Sequence, residues 1–174
     1  MIERAKQMKE TILKDDLLFH GSHGLCRVSA ILPADRVSGE VSYSILPVVA
    51  SKAKVRFVVS EKSLENSGFC KLVSVHEANS ILDFFKTGSS KESKNTQAWA
   101  LSVTIWSEAM NKDSMKDMRK RQRLERSVKG ITGELAYVLK STVRDVADRI
   151  QKNLGPVSEL NPLLVSALAN VDRD

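Results

Sequence analysis

The sequence predicts an α+β chain: a small, bent β-sheet or barrel over about 14–73, then an all-α helical domain over about 76–172. Three observations carry this. Up to Val73, apolar residues come in short alternating runs broken by Gly, Pro and Asp. From Ser74 onward they recur at three- and four-residue intervals, the period of a helix. Apolar residues make up 42% of the 174, enough to fill a core.

The first thirteen residues place Ile2, Ala5, Met8 and Ile12 loosely at helical spacing, which reads as a short helix or arm. The run Asp15–Phe19 then enters a His20-Gly21-Ser22-His23-Gly24 turn, where Gly21 and Gly24 can supply positive φ. Leu25 to Leu32 leaves that turn as a strand ended by Pro33. Period two puts Cys26 and Val28 on one face and Leu25 and Arg27 on the other. Val41–Ala50 predicts the next strand, with Pro47 marking an edge or a bulge, and Lys54–Val59 a third. Asp35–Gly39 and Ala50–Ala53 are the connecting loops.

Ser74-Val75-His76-Glu77 has the form of a capping box, Ser74 being the N-cap and Glu77 reaching back. Ala78, Ile81, Leu82 and Phe85 follow as one apolar face. The polar stretch Thr87–Asn95 is the best linker candidate, and a helix over 96–111 follows it. Asp113 or Ser114 is placed to cap a long helix reaching about Lys140, whose stripe is Leu124, Val128, Ile131, Leu135 and Val138. Val143, Val146, Ile150 and Leu154 form another helix, stopped by Gly155-Pro156. Asn161-Pro162 has the N-cap and N1 chemistry of a last helix over 163–171.

Composition narrows the function classes. No apolar run approaches the ~18 residues of a membrane helix, so no membrane association is expected. The charged start, without an apolar segment behind it, is not read as a secretory signal. Two cysteines do not make a disulfide framework, and a cytoplasmic, nucleoid-associated setting is expected. Net charge is +6 with pI about 9.4, which favours an acidic partner. The excess is shared by both halves, but Lys112–Lys129 concentrates eight basic against three acidic residues.

Candidate chemistry is sparse. His20, His23, Cys26 and Cys70 make a zinc set arithmetically possible, yet no C-x₂-C or H-x₃-H pair is present, and turn plus strand is the stronger reading. Neither G-x-S-x-G nor a phosphate-binding G-x₄-G-K-[ST] occurs, so no enzyme, metal or cofactor is expected. On a helix, Lys116, Arg119, Arg123 and Arg126 share one face with Lys120 beside it, a line of cations that can follow phosphates. A solvated face with Asp117–Arg121 and Arg121–Glu125 pairs explains the same residues equally well. Trp99 and Trp106, seven apart, are either core or a wedge against unstacked bases, and at least one is expected in the core.

In order and spacing, several of these segments resemble the CarD family of bacterial RNA-polymerase-binding transcription regulators. Asp15–Val28 is similar to a G-D-x-V-V-Y-x-x-H-G-x-x-x-V pattern. Tyr43 with Ile45 and Leu46 resembles a Y-x-x-L strand, and Lys54-Val55-Arg56-Phe57-Val58 an x-V-R-V-P strand. Ser67–Val73 resembles the close of the family's β domain, and Gly133-Glu134-Leu135-Ala136 a G/S-E-L-A run behind a basic helix.

The resemblance covers roughly 14–140. It implies a Tudor-like N-terminal domain that docks on the RNA polymerase β subunit, partly strand to strand and partly through basic residues. Arg56, with Val55 and Phe57 beside it, matches the docking strand. A second family arginine falls near Ala34, with Arg36 as substitute. The helical domain is implied to contact promoter DNA without base specificity, through Lys116, Arg119, Lys120, Arg123 and Arg126 and through Trp99 at the place of the family's wedge tryptophan. Trp99 is followed by Ala100-Leu101-Ser102-Val103 where the family has basic residues, and an alternative alignment leaves the wedge segment out. The expectation is a monomeric, non-enzymatic regulator of open-complex stability. The alternative is a free-standing nucleic-acid-binding protein with no polymerase partner.

Overall fold

The structure is a computed structural model that describes residues 11–48, 54–91, 96–111 and 117–173. The chain is α+β: a curled antiparallel sheet of five strands precedes five helices among the described residues. It divides into two compact units, Met1–Leu72 and Val73–Asp174. The boundary falls ahead of the first helix. The polar stretch after Thr87 therefore joins two helices of the second unit and does not separate the units; its residues 92–95 lie outside the described part.

In the first unit the strands are β1 (Leu17–His20), β2 (Gly24–Leu32), β3 (Ser42–Pro47), β4 (Phe57–Ser60) and β5 (Phe69–Lys71), in the order β4-β3-β2-β1-β5. All pairings are antiparallel, with Leu18 opposite Cys26, Val28 opposite Ile45 and Ile45 opposite Phe57. The β2–β3 register shifts between Val28 and Ala30, and a bulge of this kind deepens the twist that curls the sheet. One face closes on Leu18, Cys26, Val28, Tyr43, Ile45, Leu64 and Phe69, with Phe57 and Val59 packed against them. Period two thus sorts Cys26 and Val28 from the exposed Arg27 as their alternation predicts.

Four details of this unit differ from the sequence reading. The third strand begins at Phe57, so Lys54, Val55 and Arg56 lead into it. Pro47 lies on an interior strand, but opposite Cys26 and past the last β4 partner Ile45, so its missing N–H costs no β4 bond. Gly24 has φ 69°, whereas Gly21 is not in the left-handed region. The helix expected over the first residues falls outside the described part except at its end, where Ile12 is buried in the β core without helical structure. The loop 50–53 also lies outside the described residues.

The second unit contains α1 (Val75–Thr87), α2 (Gln97–Met110), α3 (Met118–Val138), α4 (Val143–Leu154) and α5 (Pro162–Ala169). Every one of these begins on a polar side chain that accepts an otherwise orphaned N–H: Ser74 from Glu77, Thr96 from Trp99, Asp117 from Arg119, Thr142 from Asp145 and Asn161 from Leu163. Asp117, not Asp113 or Ser114, caps the long helix; residues 112–116 lie outside the described part. The stripes meet in one core that includes Ile81, Leu82, Phe85, Leu124, Val128, Ile131, Leu135, Val146, Ile150 and Leu164. Polar side chains tie the elements together. Asn153 Nδ2 donates to the Leu82 carbonyl at 2.8 Å. Arg144 donates to the Leu168 and Ala169 carbonyls at the end of α5 and pairs with Asp172. The Gly88 cap of α1 has φ 71°, and a Cβ there would overlap the Trp106 indole, so both the left-handed turn and the indole's approach require glycine.

Candidate functional site

Each unit presents one surface suited to a macromolecular partner. In the first it lies at β4, one end of the strand order. Hydrogen bonding in an antiparallel ladder alternates along the strand. The Glu61 N–H donates to the Val41 carbonyl at 2.9 Å, which sets the phase: Phe57 and Val59 bond toward β3, while Val58 and Ser60 turn their main-chain groups outward. The Ser60 carbonyl is taken by the Ser63 N–H at 3.1 Å. The Val58 N–H and carbonyl therefore point off the sheet, where an added strand would pair.

The side chains around this edge are apolar and cationic. Val58 is 59% exposed, Leu46 39% and Val55 36%. Leu46 sits opposite Arg27 in register, and the β3–β4 register continued by one residue brings Arg56 beside Leu46 on its other side. Arg56 is exposed but not loose: its Nε donates to Ser44 Oγ at 2.7 Å, and Ser44 Oγ also accepts from Ser29 Oγ at 2.9 Å. One edge of the guanidinium is thus anchored on a buried serine, while Nη1 and Nη2 have no partner among the described residues and can meet a carboxylate. Phe57 points the opposite way, half-buried against the His23 ring at 4.6 Å. Arg36 is exposed in the β2–β3 turn, which is closed by Gly39 N–H to Asp35 O at 2.7 Å and by Val37 N–H to Asp35 Oδ1 at 3.1 Å. Arg56 and Val55 therefore adjoin the edge that no described strand covers, Phe57 serves the core side of its strand, and Arg36 belongs to a separate turn. The sequence reading missed Val58, Leu46 and Arg27. Period two marks Leu46 and Arg27 as facing away from Ile45 and Val28, but the pairing that puts them in one row is not visible in a single strand.

The second surface is the start of α3. Asp117 through Arg123 are all exposed, and Leu124 is the first buried residue of the helix. Arg119, Lys120, Arg123 and Arg126 are exposed and have no acidic partner within ion-pair distance among the described residues. Arg121 pairs with Glu125 at 3.0 Å, as one of the expected i,i+4 pairs. The other, Asp117–Arg121, gives way to the cap, since Asp117 Oδ1 accepts the Arg119 N–H at 2.9 Å. A helix N-terminus carries positive partial charge, and its first turn here contains no acidic residue. Cations gathered there are locally unfavourable, each by a few tenths of a kcal/mol; the Asp117 carboxylate at the cap offsets part of this, and a further anion relieves the rest. Lys116 lies outside the described residues.

Trp99 is corrected by the structure. Its side chain is 1% exposed and stands edge-on to Phe84 at 5.7 Å, an aromatic contact inside the helical core. A wedge needs an exposed ring, so Trp99 is packing and leaves the candidate interface. Trp106 is partly buried against the same core, with Phe84 at 6.4 Å.

His20 and both cysteines are engaged structurally. His20 Nδ1 accepts from the Ser22 N–H at 3.1 Å and Nε2 lies 3.2 Å from the Ser67 carbonyl. Burial pushes the Cys26 thiol up to about 11, and Cys70 Sγ contacts the Phe19 carbonyl at 3.5 Å. Among the described residues no group of three or more His, Cys, Asp or Glu is arranged to hold a metal. One carboxyl is strongly perturbed. Glu134, 1% exposed on α3, is raised to about 7 by burial and further by the nearby Glu77, against the pull of the Val73 N–H that Oε1 accepts at 3.0 Å. Glu134 Oε2 and Glu77 Oε2 are buried without a hydrogen-bond partner, so the capping box forms on its Ser74 side and Glu77 Oε2 does not close the other. No protein-family model matches the chain, and no curated protein matches it.

Proposed function

We propose that this protein is a non-enzymatic transcription regulator that docks on the β subunit of RNA polymerase through β4 and contacts promoter DNA through the start of α3. The observation that carries the docking is the outward-facing main chain of Val58, flanked by exposed Val55 and Leu46 and by the anchored Arg56. Strand addition would supply main-chain hydrogen bonds, and the guanidinium would select a partner strand carrying a carboxylate beside it. DNA held through Arg119, Lys120, Arg123 and Arg126 would be bound by its phosphates, without base readout. A regulator bound to the open complex more tightly than to the closed one shifts that equilibrium by its differential affinity.

The test is capture of RNA polymerase from lysate by the wild-type chain and by Arg56→Glu, with circular dichroism as the fold control. The reading expects the wild type to retain polymerase and the variant to lose it. Capture by both alike removes Arg56 from the interface.

A second reading, a free-standing nucleic-acid-binding protein, is favoured by one observation: the four α3 cations without an acidic partner among the described residues would serve DNA with or without a polymerase partner. DNA binding by a chain that captures no polymerase would establish it.

A further inference from the structure

The two end strands of the curled sheet, β4 and β5, share no hydrogen-bonded pairing, yet four rings join them at one end. His20 packs on His23 at 4.7 Å between centroids, His23 on Phe57 at 4.6 Å, Phe57 on Phe69 at 5.5 Å, and Phe69 returns to His20 at 4.8 Å. The contacts close a circuit from the β1–β2 turn to β4, across to β5 and back. We propose that this circuit is a proton-operated latch: neutral His20 closes the sheet between β4 and β5, and protonation of His20 opens it.

The hydrogen bonds fix the closed state. Nδ1 accepts from the Ser22 N–H, so it carries a lone pair; the ring proton is on Nε2, which donates to the Ser67 carbonyl. A second proton would go on Nδ1, set two N–H groups against each other and break the turn contact. Only glycine at 68 lets the imidazole sit this close to the main chain: φ is 87° there, and an added Cβ would lie 2.7 Å from Nε2. A neighbouring charge also opposes a cation. His23 lies in the circuit itself and acts on His20 as a like charge. Lys71, two residues beyond Phe69, is on the same face of β5, and Arg56, ahead of Phe57, turns to Ser44. Burial and His23 lower the His20 pKa from its ordinary 6.5, with the Ser67 contact opposing them. The sign follows: the folded unit binds the proton less readily than the unfolded chain, so closure is complete above about pH 6.5 and is lost as the solution is acidified below it. The latch acts on β4 whatever binds there, and does not depend on the polymerase reading.

The experiment is NMR on the full chain from pH 7.5 to 5, following the histidine ring signals together with amide exchange corrected for its intrinsic pH dependence. The expected result is a His20 midpoint below 6.5 and a fall in protection of the Phe57 and Val59 amides by a factor of about three or more with that same midpoint, the α4 amides of the other unit being unchanged. In His23→Gln, which removes the like charge from an exposed site, the His20 midpoint and the loss of protection move up in pH together. Constant β4 protection while His20 titrates overturns the latch, and so does a His20 midpoint at or above 6.5.

Discussion

Replacing Glu134 by Gln should make the helical unit more stable at neutral pH and change how its stability depends on pH. The carboxyl is raised from 4.5 to about 7 in the folded chain, chiefly by burial and then by Glu77. A raised acid means that the folded state holds the proton more tightly than the unfolded one. Its contribution is fully present below about pH 4.5 and is lost as pH rises through about 7. A shift of this size corresponds to about 3 kcal/mol between the two limits, most of which falls between pH 5 and 8. Glutamine keeps an oxygen to accept the Val73 N–H and has no charge to desolvate. Urea denaturation of both proteins at pH 5, 6, 7 and 8, followed by the fluorescence of Trp99 and Trp106, gives the difference free of titrations elsewhere in the chain. The advantage of Glu134→Gln should grow by about 2–3 kcal/mol over that range. A difference that is constant with pH would refute the reasoning, because it would mean that Glu134 titrates alike in both states. Glu134→Ala serves as the contrast: it also removes the charge but strands a buried N–H, which costs about 1–3 kcal/mol at every pH.

Three further outcomes follow from the same structure. Reversing Arg119, Arg123 and Arg126 to Glu should weaken duplex binding for all sequences alike and flatten the log–log salt slope by about 0.9 for each phosphate no longer neutralised; an unchanged slope returns α3 to a solvated face. Trp99→Ala should cost about 3–5 kcal/mol of stability in thermal or denaturant unfolding, the range for emptying a large aromatic from a core. Trp99→Phe, which preserves the aromatic packing on Phe84, should leave DNA affinity where it was in a filter or anisotropy titration.

Much of the fold was legible because local chemistry and packing agree. Leu124, Val128, Ile131 and Leu135 sit three or four apart and all become buried, and Ser74 and Asn161 cap the helices they precede. Boundaries were less legible where one residue suits two roles: Asp117 caps α3 although its spacing also suits a pair with Arg121, and nothing local distinguishes the two. Tertiary contacts decided what periodicity could not. Seven-residue spacing puts Trp99 and Trp106 on one side of α2 but does not say whether that side meets Phe84 or solvent. Glu134 stood out only as a member of the Gly133–Ala136 run, and only the approach of Val73 and Glu77 from elsewhere in the unit makes it a buried acid. Arg56 was legible as a cation between valine and phenylalanine at the third strand, although that strand begins one residue later. Its anchoring on Ser44 and the outward main chain of Val58 depend on strand order, which a single sequence does not contain.

The docking reading rests on that outward main chain, and proline at position 58 tests it most directly. Val58→Pro deletes an N–H that points away from β3, so the β3–β4 ladder keeps its bonds while the edge loses the donor an added strand requires. Titration of the purified RNA polymerase β subunit with the wild-type chain and with Val58→Pro, after thermal unfolding has matched the two proteins, is the measurement. The account predicts binding by the wild type and at least about a tenfold weakening in the variant, the size expected when one or two edge hydrogen bonds go. Equal affinity of the two proteins, or no binding of the β subunit by the wild type, would contradict it.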